Sequence, residues 1–326
     1  MGWSRTLPLI GCAMAAACAR APSALAPSGP AADRIATLWW IVLAVCSVLY
    51  LVFGGLAAYA VFHRRRATTA ESEPTGVRWV VIGGVFVPAA IVTALFLLTL
   101  GTLRALATAD DRARIVIDVA GELWWWSVRY PGAPGESDAI TANEIHVPVG
   151  EPVELRLSSE NVIHSFWVPE LHGKLDLVPG KVNVLRVQAD RPGVYRGQCA
   201  EFCGVQHAKM ALLVVAQPRA EFDAWLARQR QPARPLGTAA GRTAFERRCG
   251  SCHTVRGTTA TGTEGPDLTH IASRRTLASA SLPNTRARLG GWIVHAQSLK
   301  PGSLMPDVPL EPRELEGILD YLMSLR

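Results

Sequence analysis

The stretch CAEFCGVQHAKM, residues 199 to 210, contains two cysteines, a histidine and a methionine at spacings of four, four and three residues. Thiolate, thioether and imidazole groups in one short segment are compatible with zinc, with copper, with a disulfide or with a cluster in a hydrophobic core. The identity of this cluster decides whether the segment is a structural element or a metal site.

Short β-rich runs surround the cluster. GVYRGQC (193–199) precedes it and MALLVVAQ (210–217) follows it, so the cluster lies in a loop between two predicted strands. Turn signals rich in Gly, Pro and Asp, such as YPGAPGES and ADRPG, separate further runs, and this spacing is typical of a β-sandwich or small barrel. These further runs are RARIVIDVA, NEIHVPV, PVELRLS and KVNVLRVQA.

An additional donor can come from NVIHSFWVPE, which carries His164 between another pair of predicted strands. Two thiolates, two imidazoles and one thioether are more soft ligands than a tetrahedral zinc ion uses, and methionine is a poor zinc ligand. The set suits copper, and two thiolates can bridge two copper ions. Because a single blue-copper site normally uses one cysteine, the second cysteine is the discriminating residue.

A second motif, CGSCH at residues 249–253, begins the C-terminal part of the chain. The spacing C-x-x-C-H lets two thiols add to haem vinyl groups while the following histidine ligates the iron. A zinc site would need a second ligand pair, and no other cysteine follows in the sequence. A thioredoxin-like pair would need a βαβ context, whereas this motif ends a short helical segment. A c-type haem is therefore predicted.

The sixth haem ligand has four candidates: Met305, Met323, His270 and His295. Met305 lies in the Pro- and Gly-rich loop LKPGSLMPDV, which could cross the open face of a haem. Met323 lies at helical spacing among leucines, so a core position explains it better. The two histidines are expected at the surface or at the haem edge.

Two apolar runs, 38–62 and 80–103, contain no ionised side chain and exceed the roughly 20 residues that a membrane-spanning helix needs. Both are predicted to be transmembrane helices. The loop between them, 63–79, begins with the arginines at 64–66, which predicts that it is cytoplasmic and that both chain ends face the opposite side.

The first residues, 1–18, have an early arginine, an apolar stretch and small residues, the pattern of a secretory signal. The segment AAAC ending at Cys18 resembles a lipoprotein processing site, with LIGC at Cys12 as a competing match. Lipidation of Cys18 is a hypothesis.

The exported part divides into residues 107–230, a Pro-containing linker 231–239 and residues 240–326. Residues 107–230 hold 13 Lys and Arg against 16 Asp and Glu, a net charge of −3, whereas residues 237–326 hold 11 against 8, a net charge of +3. Opposite signs permit docking of the two parts, although ordinary scatter in surface charge explains them equally well.

The haem part, 240–326, resembles the class I cytochrome c family over nearly its whole length. The resemblance implies an all-α domain in which Cys249 and Cys252 attach haem while His253 and Met305 are axial ligands. It also implies that Pro266, in GPDL, lies near the proximal histidine. A thioether opposite an imidazole raises the reduction potential and suits electron transfer.

The part from 113 to 218 resembles the copper domain of cytochrome c oxidase subunit II, through GELWWWSVRY, VIHSFWVPEL, GKLDLVPGK and RPGVYRGQCAEFCGVQHAKM. The two apolar helices and the C-terminal fusion make the layout similar to the caa-type oxidases. The resemblance implies a membrane-anchored chain with a two-helix transmembrane hairpin, an all-β cupredoxin sandwich carrying the binuclear CuA centre, and the cytochrome c domain.

The resemblance also implies the roles of individual residues. The implied copper ligands are the imidazoles of His164 and His207, the bridging thiolates of Cys199 and Cys203, the thioether of Met210 and the backbone carbonyl of Glu201. The Glu201 carboxylate would additionally face a magnesium ion at the boundary with subunit I. Trp124 matches the position where electrons arrive from cytochrome c. Strand alternation predicts that Trp124 and Trp126 lie on one face and Trp125 on the other.

The implied function is that of an oxidase subunit that passes electrons from haem c to CuA and on to the haem of subunit I, where oxygen is reduced. Expected partners are subunit I and other oxidase subunits, cytochrome c or another donor, and lipid, with no nucleic acid. The expected location is the bacterial inner membrane, with both metal domains in the periplasm. The alternative is the electron-input subunit of a CuA-containing nitric oxide reductase. A copper-delivery protein would be expected to show a βαβ pattern and no haem motif.

Overall fold

A computed structural model describes residues 22–63, 74–107, 115–234 and 237–326 of the 326-residue chain. The described residues form two compact units, one from 22 to 32 together with 115 to 326, and one from 33 to 107. The predicted secretory signal with Cys12 and Cys18, and the arginines at 64–66, lie outside the described residues.

The smaller unit consists of apolar helices. Helix α1 spans Pro30–Phe62, and the second helical segment comprises α2 (Pro74–Val81), a π-helical turn (Ile82–Phe86) and α3 (Val87–Ala107). Two stretches, Pro30–Phe62 and Gly76–Leu106, are long and apolar enough to cross a membrane. Since Phe62 and similar side chains are exposed in the chain alone, their apolar surface suits a lipid environment. The prediction of two apolar helices is confirmed.

The larger unit begins with a β-sandwich of two five-stranded sheets. The first sheet consists of β1 (Ile115–Glu122), β2 (Trp125–Tyr130), β3 (Ala139–Ala142), β5 (Val153–Ser159) and β8 (Asn183–Val187). The second consists of β4 (Glu144–Pro148), β6 (His164–Trp167), β7 (Leu175–Leu177), β9 (Gly193–Cys199) and β10 (Ala211–Gln217). The strand orders are β3-β2-β1-β5-β8 and β4-β10-β9-β6-β7. The predicted all-β sandwich is confirmed.

Alternation along the strands builds the core of the sandwich. In β1, Ile117 and Val119 are fully buried, whereas the residues beside them are partly exposed. The parallel register pairs Ile117 with Leu155 of β5, whose side chain is also buried. Because successive side chains in a strand point to opposite faces, one face of each sheet contributes to a shared core.

The tryptophan triplet differs from the sequence prediction. Trp124 does not lie in a strand, because Leu123 and Trp124 form the two-residue turn between β1 and β2, where Glu122 pairs with Trp125. The alternation argument therefore applies only from Trp125 onward. Trp126 is fully buried in the core, whereas Trp124 stays half-buried at the end of the sandwich.

The C-terminal domain is helical, as predicted. Helix α4 (Arg219–Arg230) closes the sandwich, and the domain itself contains α5 (Ala239–Arg248), α6 (Arg286–Val294), α7 (Ala296–Leu299), α8 (Pro312–Ser324) and a short hairpin of β11 (Thr276–Leu277) and β12 (Leu282–Pro283). Thr238 begins α5 by accepting a 3.1 Å hydrogen bond from the N–H of Gly241. Phe245 and Tyr321 pack with ring centroids 5.4 Å apart and join α5 to α8.

Helices α5 and α8 cross where Gly241 faces Gly317. A Cβ atom at Gly241 would lie 2.1 Å from the carbonyl oxygen of Gly317, so Gly241→Ala must push the helices apart. We expect the free energy of unfolding of this domain to fall by about 2 kcal/mol. Denaturant-dependent hydrogen exchange of peptides from 237–326 measures it.

Gly291→Ala in α6 is the matched control, because a Cβ atom there meets no heavy atom within 4 Å. The free energy of unfolding of the domain should be unchanged or slightly higher in this variant, since alanine favours helix by roughly 1 kcal/mol over glycine. Equal stability of the two variants would contradict the close crossing.

Candidate metal centre

Two buried thiols lie together at the end of β9. The Sγ atoms of Cys199 and Cys203 are 3.7 Å apart. The Nδ1 atom of His164 lies 3.9 Å from the Cys199 sulfur, and the carbonyl oxygen of Glu201 lies 3.1 Å from it. The histidine and both cysteines form a group whose candidate ligand atoms all lie within 4.8 Å of one another.

The remaining donors of the loop gather around the second sulfur. The Nδ1 atom of His207 lies 3.7 Å from the Cys203 sulfur, and the Sδ atom of Met210 lies 3.8 Å from it. The structure thus brings together every side chain that the sequence proposed for copper. Both imidazoles present Nδ1 to the thiol pair.

Secondary structure explains how a loop achieves this arrangement. Strand β6 places His164 beside the end of β9, where Phe166 pairs with Cys199. A 3₁₀ turn at His207–Lys209 reverses the chain, and the Cys199 N–H donates to the Met210 carbonyl at 2.8 Å. Both ends of the ligand loop are therefore fixed by adjacent strands of one sheet.

Burial makes the site suited to a metal of defined geometry. His164, Cys199, Cys203 and Met210 each expose 4% or less of their surface. The pKa of the Cys199 thiol is lowered to about 3, first because the Cys203 thiol donates a hydrogen bond to its sulfur. The same hydrogen bond raises the pKa of Cys203, and burial raises it further. Binding of a metal to both sulfurs requires both thiols to be deprotonated.

Two residues that support His164 were missed in the sequence. The Oδ1 atom of Asn161 lies 3.2 Å from His164 Nε2, which orients the ring so that Nδ1 faces the thiols. A Cβ atom at Gly121 would lie 2.6 Å from the His164 ring, so only glycine leaves room for it. Asn161 stands three residues before His164, but nothing in the sequence indicates that it holds the ring. Gly121 comes from a different strand.

Trp124 contacts the ligand loop directly. Its indole Nε1–H donates a 2.7 Å hydrogen bond to the carbonyl oxygen of Cys203. A Cβ atom at Gly204, where φ is +115°, would lie 2.9 Å from the indole ring, so glycine is required there for both conformation and space. The ring is thus held at the carbonyl of a predicted copper ligand.

The haem motif follows the end of α5. His253 Nδ1 lies 2.8 Å from the carbonyl oxygen of Pro266, which leaves Nε2 available for a metal. Burial lowers the pKa of His253, although the hydrogen bond to Pro266 opposes this shift, and the net lowering favours the neutral imidazole that iron ligation requires. A Cβ atom at Gly265 would lie 2.5 Å from this ring, so the missing side chain makes room for the ring.

The surroundings of His253 fit a covalent haem. Cys249 is half-buried and Cys252 is exposed, and both thiols are free. Arg274 is buried, and among the described residues its Nε atom has no hydrogen-bond partner, which suits the carboxylates of a haem. Met305 packs against the core of the same domain.

A glutamine braces the loop that carries Met305. The Nε2 atom of Gln297 donates to the carbonyl oxygens of Ser303 at 2.8 Å and Met305 at 2.6 Å, and its Oε1 accepts from the N–H of Gly302 at 2.9 Å. The sequence did not reveal this brace, because it depends on how α7 packs against the loop.

The other histidines are explained without a metal. His146 is buried and stacks on Trp225 with centroids 4.0 Å apart, and His172 is half-buried. His295 is exposed, as expected. His270 is 3% exposed, which excludes the surface position but not the haem edge that was the other expectation, and its Nε2 lies 3.0 Å from the carbonyl oxygen of Gln231.

The donor chemistry of the first site separates copper from zinc. Three side chains and one carbonyl surround the two thiol sulfurs, and a four-coordinate zinc ion would leave some of these six donors unused. Two sulfurs at bridging separation, each with its own imidazole, match a pair of copper ions. The residues present therefore fit a binuclear copper centre.

Two family models match the chain. The periplasmic domain of cytochrome c oxidase subunit II matches residues 134–217, which include all the proposed copper ligands. Cytochrome c matches residues 238–326, which include the haem motif and Met305.

Curated relatives extend the match to the membrane helices. Cytochrome c oxidase subunit 2 of Alkalihalophilus pseudofirmus is 33% identical over 93% of this chain and 91% of its own length. The subunit 2 of Bacillus subtilis is 26% identical over 93% of this chain and 92% of its own length. The chain therefore belongs to the cytochrome c oxidase subunit II family and is an oxidase subunit in which a cytochrome c domain follows the subunit II periplasmic domain.

Proposed function

We propose that this subunit is a two-station electron relay, which receives electrons at haem c, passes them to CuA and delivers them to the haem of subunit I, where oxygen is reduced to water. The observation that carries the proposal is the convergence of His164, His207, Met210 and the Glu201 carbonyl on two sulfurs 3.7 Å apart. When bound, the two coppers and the haem supply one-electron redox chemistry.

The chain's own residues hold the copper pair and limit its rearrangement. Cys199, Cys203, His164, His207 and Met210 would hold the copper pair, with the two thiolates shared between the metals and the thioether as the weakest donor. Because most of these donors are buried, and because β6, β9 and β10 fix the segments that carry them, their positions would change little between oxidation states. A rigid site suits electron transfer and performs no bond chemistry.

The C-terminal domain holds the haem in the same way. Cys249 and Cys252 would attach the haem covalently, and His253 and Met305 would ligate its iron. The Pro266 carbonyl fixes the orientation of the His253 ring, and Gln297 fixes the loop of Met305. Trp124 is the residue through which electrons reach the copper loop, because its indole is hydrogen-bonded to the Cys203 carbonyl.

Membership in the family supports a proposal for the partners and the location. The subunit associates with other oxidase subunits; we propose subunit I as the acceptor, cytochrome c or another periplasmic protein as the donor, and the lipid of a bacterial inner membrane as its surroundings. We further propose that the Glu201 carboxylate binds magnesium at the boundary with subunit I.

Rapid mixing of the purified oxidase with a reductant tests the relay. We expect one haem c and two coppers per subunit, and reduction of haem c before copper and before the other haems. The enzyme should consume oxygen; consumption of nitric oxide instead would contradict the oxidase and favour a nitric oxide reductase. Simultaneous reduction of copper and haem c at all reductant concentrations would contradict the proposed order of electron transfer, from haem c to copper.

A further inference from the structure

The cytochrome c domain lies directly on the copper loop. Two side chains of the loop reach across: Lys209 Nζ donates to the Leu299 carbonyl at 2.6 Å, and Gln206 Nε2 donates to the Pro301 carbonyl at 2.5 Å. These acceptors belong to the segment that leads to Met305. The loops that carry the proposed ligands of the two metals are therefore in contact.

Lys300 lies at the centre of this contact. It is 4% exposed, and its Nζ donates a 2.7 Å hydrogen bond to the Trp124 carbonyl in the copper domain. The indole of Trp124 in turn donates to the Cys203 carbonyl. Burying an ammonium is costly unless it is hydrogen-bonded, so the bond to Trp124 stabilises the inserted side chain. A continuous chain of contacts thus runs from Lys300 to a copper ligand.

The opposite end of the copper loop is held by a second segment of the cytochrome domain. Ala211, which follows Met210, exchanges two hydrogen bonds with Ser279: its N–H donates to the Ser279 carbonyl at 3.3 Å, and its own carbonyl accepts from the Ser279 hydroxyl at 2.7 Å. The buried carboxylate of Glu144 accepts from the backbone N–H groups of Arg275 and Thr276. Docking is therefore fixed at more than one place.

The path from Lys300 to Met305 is short and braced. Gln297 ties the N–H of Gly302 and the carbonyls of Ser303 and Met305 to one side chain. Because these hydrogen bonds hold the segment between Lys300 and Met305, a displacement of Lys300 also displaces the loop that carries Met305.

We propose that Lys300 is a positioning residue for electron transfer, which holds segment 299–305 against the copper loop at Trp124 and so fixes the separation of the two metal sites. The proposal rests on the proposed relay. In the step that it serves, one electron leaves the haem iron and one enters the copper pair, with no bond formed or broken and no proton transferred.

Lys300→Met in the complete oxidase tests the proposal. After photoreduction of haem c by a ruthenium complex, we expect its reoxidation by copper to slow by about tenfold or more, because small misplacements of reacting groups have large effects on rate. The copper resonance and the haem spectrum should stay unchanged. Hydrogen exchange should increase in peptides 204–211 and 299–305. Lys300→Arg, which keeps a donor, should restore most of the rate.

Lys181→Met is the matched control, because it removes an exposed lysine from the β7–β8 turn of the copper domain. Its rate should equal that of the unaltered oxidase. An unchanged rate in Lys300→Met with intact copper would overturn the positioning role. Absence of transfer from haem c to copper in the unaltered oxidase would instead overturn the relay itself.

A second variant covers the case in which Lys300→Met loses copper. A Cβ atom at Gly302 would lie 3.0 Å from Val205 Cγ2, and φ there is +79°, so Gly302→Leu wedges the two loops apart without removing a proposed ligand. We expect the same slowing of haem c reoxidation. A normal rate in Gly302→Leu would overturn the proposal.

Discussion

Replacing Cys203 by serine is expected to abolish the mixed-valence copper signal in electron paramagnetic resonance while the haem c spectrum stays intact. A hydroxyl cannot replace a thiolate that bridges two copper ions, and the neighbouring Cys199 alone would support at most a single-copper site. Loss of a hydrogen-bond partner of a metal ligand already costs about 10 to 100-fold in metal affinity or activity, so loss of the ligand itself should reduce oxidase turnover by at least about 100-fold.

Cys46→Ser is the control for this experiment, because Cys46 is an exposed thiol in α1, remote in sequence from the ligand loop. It should keep both the copper signal and the turnover. Survival of the mixed-valence signal in Cys203→Ser would contradict the bridging role. Loss of the haem spectrum as well would show that the variant disturbs the fold.

Met305→Ala is expected to remove the low-spin spectrum of a methionine-ligated haem and to lower the reduction potential of haem c. The thioether is the ligand that raises the potential when it stands opposite an imidazole, so its loss should favour the oxidised iron. Redox titration of the purified oxidase, followed by optical spectroscopy, measures both effects.

Met323→Ala is the matched control, because this methionine packs on the core of the same domain from α8. It should destabilise the domain without changing the haem spectrum. An unchanged spectrum in Met305→Ala would instead indicate a different distal ligand. His295 is exposed and is the better histidine for that role, since His270 Nε2 already lies 3.0 Å from the Gln231 carbonyl.

The convergence of the proposed copper donors could be predicted from sequence because it depends on local spacing. Four of the side chains lie within twelve residues, and the turn between two strands has to bring them together. Only His164 lies far from the others in sequence. The pairing of β6 with β9 explains how it comes to lie beside the cysteines. The apolar helices and the helical domain were predictable because their patterns extend over many residues.

The features that escaped prediction depend on contacts between distant segments. Strands β3, β6 and β7 are only three or four residues long, too short for a periodic signal. The sequence predicted Trp124 in a strand, but it lies in the turn because the register pairs Glu122 with Trp125. Nothing in the sequence distinguishes Lys300 from a surface lysine, because its burial depends on the docking of two domains.

The contacts on both sides of the copper loop have a consequence for the order of maturation. Segments 278–280 and 299–302 of the cytochrome domain approach the loop near Ala211 and Val205, whereas Phe202 remains 77% exposed. Because the chain is synthesised from its N-terminus, the copper domain is complete before these covering segments exist. We therefore expect the proposed copper ligands to be most accessible in the newly made domain, before docking of the cytochrome domain narrows the access to them.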